Sequence, residues 1–257
     1  MSPSSRTHRE IRRDYAALAP AHARRADAIV TSTEYGRRLI IDSFGVGSDR
    51  VYVCPPGAPS WHELGSAPRS PDQGCILFIG TLEPRKNVGA LLDAYTLLVA
   101  NGRSTPPLVL AGRATPDSAE WLRRIERPPL AGRVKYLGYI ADTERERVYA
   151  TARVLVIPSL DEGFGLPALE AMSAGVPVIA SRRGSLPEVV GSGGILVEPD
   201  DIEGLAAAIE GIVCDKQTAA DWGRAGLERA RAFTWPAAAA TLRRAYADAV
   251  TRRGRAA

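Results

Sequence analysis

The chain has 257 residues, 45% of them hydrophobic and 24% charged, which is the composition of a soluble globular protein and the length of one large or two ordinary domains. Its net charge of +4 is carried almost wholly by arginine, since Lys86, Lys135 and Lys216 are the only lysines. No basic run is interleaved with aromatics, no apolar window reaches membrane-spanning length, and MSPSSRTHRE has no apolar signal region; nucleic acid is not expected as a partner, and the expected location is cytoplasmic, with peripheral membrane contact left open.

The segment from His8 to Ala26 is arginine-rich and helix-permissive, with Pro20 predicting a break or kink. DAIVTS (Asp27 to Ser32) reads as a strand, Thr33 to Phe44 as a helix with Thr33 as N-cap, and Arg50 to Val53 as another strand. PPGAPSW and the Pro-, Gly- and Ser-rich stretch to Gly74 mark a linker, set at residues 59–74. From Cys75 strands and helices alternate. CILFIG is a fully apolar run, as for a strand covered on both faces, and Asn87 to Ala100 is a helix with Val88, Leu91, Leu92, Tyr95, Leu98 and Val99 on its apolar side. Strands at Leu108–Ala111, Val134–Leu137, Val154–Ile157, Val176–Ala180 and around Ile195–Val197 alternate with helices at Ser118–Glu126, Asp142–Thr151 and Pro167–Ala174 and a turn or short helix at Ser185–Val190. Helices at Ile202–Cys214, Thr218–Ala232 and Pro236–Arg252 close the chain. This order predicts a doubly wound, Rossmann-like parallel α/β sheet over residues 75–235, with ligands at the carboxyl ends of its strands. Cys54, Cys75 and Cys214 lack metal-ligand spacing and read as reduced thiols, Cys75 in the core.

The chemistry concentrates in VLVIPSLDEGFGLPALEAMSAGVPVIA, Val154 to Ala180. Glu162 falls in a glycine-broken loop and Glu170 near the end of a first helical turn opened by Pro167. Between them Gly163, Phe164, Gly165 and Leu166 present backbone N–H groups at a helix N-terminus, an anion site whose usual occupant is phosphate. Glu170, inside the helix, suits the hydroxyls of a ribose. A second strand-end loop, Gly80 to Asn87 (GTLEPRKN), sets Arg85 and Lys86 just before a helix N-terminus, with Asn87 as its expected N-cap. Cations there oppose the helix dipole, so a diphosphate accounts for them better than helix stability does. A solvated Arg-Lys pair and two solvated glutamates are the plain alternatives.

EGFGLPALE followed by AMSAGVPVIA resembles the E-x7-E signature of retaining glycosyltransferases with two facing Rossmann-like domains (the GT-B fold), especially family 4 of that class, and GTLEPRKN resembles their basic diphosphate-binding loop. Thr81 departs from the arginine of many relatives, so Arg85 would supply the second cation. The resemblance implies that Glu170 holds the ribose, the backbone of Gly165 and Leu166 the phosphates, Arg85 and Lys86 the departing diphosphate, and Glu162 the donor sugar near the reacting carbon. The backbone after Leu137, at Gly138, Tyr139 and Ile140, would edge the base, with Gly80 in the phosphate loop. Pro187 and Glu188 in GSLPEVVG also match and read as structural. The expected reaction is transfer with retention from a nucleotide sugar, GDP-mannose favoured, to a saccharide or lipid-linked acceptor. No cofactor or metal is implied, because the Asp-x-Asp pattern of metal-using glycosyltransferases is absent.

ARRADAIVTSTEYGRRLIIDSFGVGSDRVYVCPPGAP resembles the end of the family's N-terminal, acceptor-binding domain. Residues 1–58 are therefore expected to be a remnant of that domain, with the helix of residues 236–257 crossing back to it. None of His8, His22 and His62 matches the family's catalytic histidine, and each reads as a surface residue. Two other readings follow from the short N-terminal part: a nucleotide-sugar-binding module without transfer activity, and a subunit pairing with a separate acceptor half. Dinucleotide, P-loop and G-x-S-x-G templates have no match.

Overall fold

The computed structural model describes residues 18–61, 74–100 and 105–256. His8, His62 and nearly all of the expected linker lie outside them. The chain divides into two compact units, residues 1–57 with 234–257, and residues 58–233.

In the first unit, residues 18–25 are helical, with Pro20 in the first described turn; the part of the arginine-rich segment before residue 18 lies outside the described residues. Strands β1 (Ile29–Thr31) and β2 (Val51–Val53) pair in parallel around a helix, Glu34–Phe44. Thr33 caps that helix, its side chain accepting from the Gly36 amide at 3.0 Å, and left-handed Gly45 ends it. The last helix, Trp235–Ala256, belongs to the same unit. It is tied there by the Tyr52 hydroxyl donating to Asp248 at 2.7 Å and by Arg252 donating to the Asp27 and Asp49 carbonyls at 3.1 and 2.7 Å.

The second unit is built on one parallel sheet of six strands: β3 (Cys75–Ile79), β4 (Leu108–Ala111), β5 (Val134–Gly138), β6 (Ala152–Ile157), β7 (Val178–Ser181) and β8 (Ile195–Val197). They lie in the order β5-β4-β3-β6-β7-β8, all pairs parallel, which is the Rossmann order with its switch point between β3 and β6. Period-2 alternation sends Ile76, Phe78, Val154 and Val156 to one face, under the helices Val88–Ala100, Ala119–Ile125 and Ile202–Cys214. Cys75, Leu77, Leu155 and Ile157 go to the other, under the helices Asp142–Ala150, Leu166–Ser173 and Leu186–Val190. Both faces are buried on the central strands β3, β6 and β7, as the apolar run CILFIG predicted, while the edge strands β5 and β8 are partly exposed.

The differences from the sequence reading are local. Pro116–Ser118 is a 3-10 turn leading into Ala119–Ile125, so that helix is shorter than expected. The helix expected from Thr218 starts at Lys216 because Asp215 caps it, accepting from the Gln217 amide at 2.8 Å. Pro167 takes the second helical position rather than the first, since the helix starts at Leu166, and Glu170 falls one residue into the second turn.

Candidate functional site

Three strand ends, those of β3, β5 and β6, carry the residues singled out above. After β3, Pro84–Lys86 forms a 3-10 turn that holds Arg85 half exposed and Lys86 buried. Asn87 does not cap the following helix in the expected way. It closes the turn in the left-handed region (φ 53°), and its Nδ2 donates to the Pro199 carbonyl at 3.0 Å.

Glu162, in the loop after β6, is only 7% exposed. Its Oε1 accepts from Lys86 Nζ and, at 2.9 Å, from Ser159 Oγ, while its Oε2 meets Arg85 Nη1 at 3.4 Å. Arg85 also donates to the Asp161 carbonyl at 3.1 Å and pairs with Glu83 at 2.7 Å, and its own carbonyl accepts from the Leu160 amide at 2.7 Å. The turn after β3 and the loop after β6 are thus joined by both backbone and side chains. Taking a carboxylate this far out of water is costly, and the two cations and the Ser159 hydroxyl around Glu162 offset that cost.

The loop after β7 closes the far side of Glu162. The Ser185 amide donates to the Glu162 carbonyl at 3.0 Å, and Gly184 lies so close that a Cβ would come within 2.7 and 2.8 Å of the Glu162 nitrogen and oxygen. With φ at +60°, Gly184 satisfies two requirements that no other residue meets together. A second close approach occurs at Gly112 after β4, where a Cβ would sit 1.9 Å from the Gly80 carbonyl oxygen. Gly80 is itself bonded through its amide to the Ala111 carbonyl at 2.9 Å.

Gly163, Phe164, Gly165 and Leu166 run from Glu162 into the helix Leu166–Ser173. Gly165 is left-handed and no side chain caps this helix. Phe164 is a core residue, edge-on to Phe233 at 5.8 Å, so only its backbone can serve a ligand. The same holds for buried Ile140, whereas Tyr139 is 59% exposed with the Arg113 guanidinium 4.8 Å from its ring centre.

Glu170 is not part of the Lys86–Glu162 group. Its Oε1 accepts from Arg145 Nη1 at 2.6 Å and its Oε2 from the Tyr149 hydroxyl at 2.7 Å. Burial first, and Glu170 second, push the Tyr149 phenol well above its ordinary value. Burial draws the Arg145 guanidinium down, but the hydrogen bond and charge of Glu170 outweigh it and leave that group raised. The sequence reading missed Arg145, Tyr149, Arg113, Ser159 and Gly184. For the first pair a signal existed, because residues four apart share one helix face.

Among the described residues no group of three or more His, Cys, Asp or Glu is placed to hold a metal ion, and no helix is long and apolar enough to cross a membrane.

Residues 62–229 match the family model described as "Glycosyl transferases group 1". The chain is similar to O-antigen chain mannosyltransferase B of Escherichia coli, 39% identical over 224 residues, covering 82% of this chain and 58% of that protein. It therefore spans little more than half the length of that relative. Among solved structures it resembles the sucrose-phosphate synthase of Thermosynechococcus elongatus (TM-score 0.79, 25% identity, 98% of this chain and 64% of that one). It also has the fold of Anabaena HepE, solved in complex with UDP and glucose (TM-score 0.73, 23% identity, 91% of this chain and 65% of that one). With the Rossmann-order sheet and the matched model spanning most of its length, the chain belongs to the group 1 glycosyltransferases, which have the GT-B fold.

Proposed function

We propose that residues 58–233 bind a nucleotide-sugar donor at the carboxyl edge of the sheet and that the reaction transfers its sugar with retention of configuration to a saccharide or lipid-linked acceptor. The observation that carries this reading is the junction of Arg85 and Lys86 with Glu162 across the ends of β3 and β6, the two strands that flank the switch point. Arg85 and Lys86 take the diphosphate, whose negative charge grows as the sugar's C1–O bond breaks; preorganised cations stabilise that charge selectively in the transition state. Gly165 and Leu166 offer backbone N–H groups to the phosphates. Glu170 takes the ribose hydroxyls, Glu162 orients the sugar, and Tyr139 with the Ile140 backbone edges the base. The acceptor oxygen bonds to C1 on the face the diphosphate leaves, and its proton passes to a departing phosphate oxygen.

GDP-mannose is the proposed donor, on the strength of the mannosyltransferase at 39% identity. UDP in HepE makes uridine the competing base. The first unit is proposed as part of an acceptor-binding domain. A second reading, a donor-binding module that needs a separate acceptor domain for transfer, is favoured by the exposure of Val30, Leu39, Tyr246 and Val250 in that unit.

Isothermal titration with GDP, UDP and ADP tests the binding claim. One of them should bind, and Lys86→Ala should weaken it about 10- to 100-fold, the loss of one charge-assisted hydrogen bond. Absence of binding, or an unchanged variant, would remove the donor site. Transfer assayed with GDP-mannose then separates an active chain from a binding module.

A further inference from the structure

We infer that Arg145 and Tyr149 are positioning residues that orient Glu170 toward two adjacent ribose hydroxyls, so that the chain selects ribonucleotides over 2′-deoxyribonucleotides; this rests on the donor-site reading above. Each oxygen of Glu170 receives one hydrogen bond from the neighbouring helix, 2.6 Å from Arg145 and 2.7 Å from Tyr149. A carboxylate has about four lone-pair sites, so each oxygen retains one acceptor position. Two acceptors fixed side by side match the two hydroxyls of a cis-diol.

The anchors are rigid for different reasons. Tyr149 is fully buried, its hydroxyl lies 3.3 Å from the Pro167 carbonyl oxygen, and its ring packs on Trp61 with centres 5.1 Å apart. Its phenol, raised by burial, stays protonated and can only donate to Glu170 at working pH. Arg145 is held at its other end by Asp142 at 3.1 Å. Its Nε is buried without a hydrogen-bond partner, a poor arrangement for an ion pair kept for stability alone. Apart from Tyr149 and half-buried Val148 this helix offers little to the core: Asp142, Thr143, Glu144, Glu146 and Arg147 are exposed. Its grip on Glu170 is therefore a specific attachment. The same helix begins two residues after Ile140, so the residues proposed for the base and the anchors of the carboxylate proposed for the ribose are close neighbours along the chain.

The test is titration of GDP and 2′-deoxyGDP, and of UDP and 2′-deoxyUDP, into the wild type, Tyr149→Phe, Arg145→Ala and Arg145→Lys. Tyr149→Phe removes one oxygen and keeps the buried ring, so it remains informative if Arg145→Ala folds poorly. The wild type should prefer the ribonucleotide by tenfold or more. Tyr149→Phe and Arg145→Ala should bring that preference to threefold or less, with partial recovery in Arg145→Lys. Equal weakening of both nucleotides, with the preference intact, would overturn the positioning role and leave the donor site standing. A wild type that binds both equally would overturn ribose selection. No binding of any nucleoside diphosphate would remove the donor site and this inference with it.

Discussion

Lys86→Met and Glu162→Gln, singly and together, probe the pair at the centre of the site. Lys86 is 9% exposed and Glu162 7%, and the ammonium bonds to Oε1 of the carboxylate. Removing one partner of a buried pair costs about 3–5 kcal/mol, mostly because the other charge is left unpaired. Glu162 would keep Ser159 at 2.9 Å and the half-exposed Arg85 at 3.4 Å, which brings Lys86→Met below that range, to about 2–3 kcal/mol. Glu162→Gln keeps the shape but gives Lys86 a neutral acceptor, so about 2 kcal/mol is expected. In the double variant neither charge is stranded, and its cost should fall short of the sum by at least about 1.5 kcal/mol. Urea unfolding followed by circular dichroism measures all four proteins. Additivity within about 0.5 kcal/mol would refute the pair as an energetic unit.

Gly184→Ala forces a Cβ against the Glu162 backbone and strains φ at +60°; it should lower stability by about 1–3 kcal/mol and weaken nucleotide binding, read by urea unfolding and calorimetry together. Gly112→Ala, with its Cβ 1.9 Å from the Gly80 oxygen, should be worse, at about 3 kcal/mol or more, and is checked by thermal unfolding. Alkaline unfolding should depend on Tyr149. Because its folded value is raised above that of the unfolded chain, its contribution is complete below about pH 10 and is lost as pH rises through the folded value. Tyr149→Phe should therefore show a shallower loss of stability above pH 10 than the wild type, and an identical slope would contradict the burial argument.

The sheet was legible because its central strands are buried on both faces and therefore written as apolar runs such as CILFI and VLVI, separated by helix-length segments. The glycine-broken loop and the two glutamates were legible because backbone freedom and charge beside an apolar strand are local signals. What stayed hidden is what the fold brings together from afar. Glu162 finds Lys86 across 76 positions of sequence, and Arg145 finds Glu170 across 25. Neither pairing follows from periodicity, and Gly184 looks like an ordinary turn glycine until the Glu162 backbone is seen against it. Phe164 was legible only as a backbone N–H in the loop; that its side chain joins the core became visible with the fold. Helix ends moved by one or two residues where a capping side chain, such as Asp215, decided the start.

The central claim is that a nucleoside diphosphate sits at the carboxyl ends of β3, β5 and β6, and amide chemical-shift mapping of the 27.5 kDa chain during a GDP titration tests it most directly. The account predicts shifts concentrated at Gly80 to Asn87, Tyr139 and Ile140, Glu162 to Leu166, and Glu170 with Arg145. Shifts centred instead on the groove lined by Leu122, Ile125, Ala131, Val134 and Tyr136, or spread without focus, would contradict it.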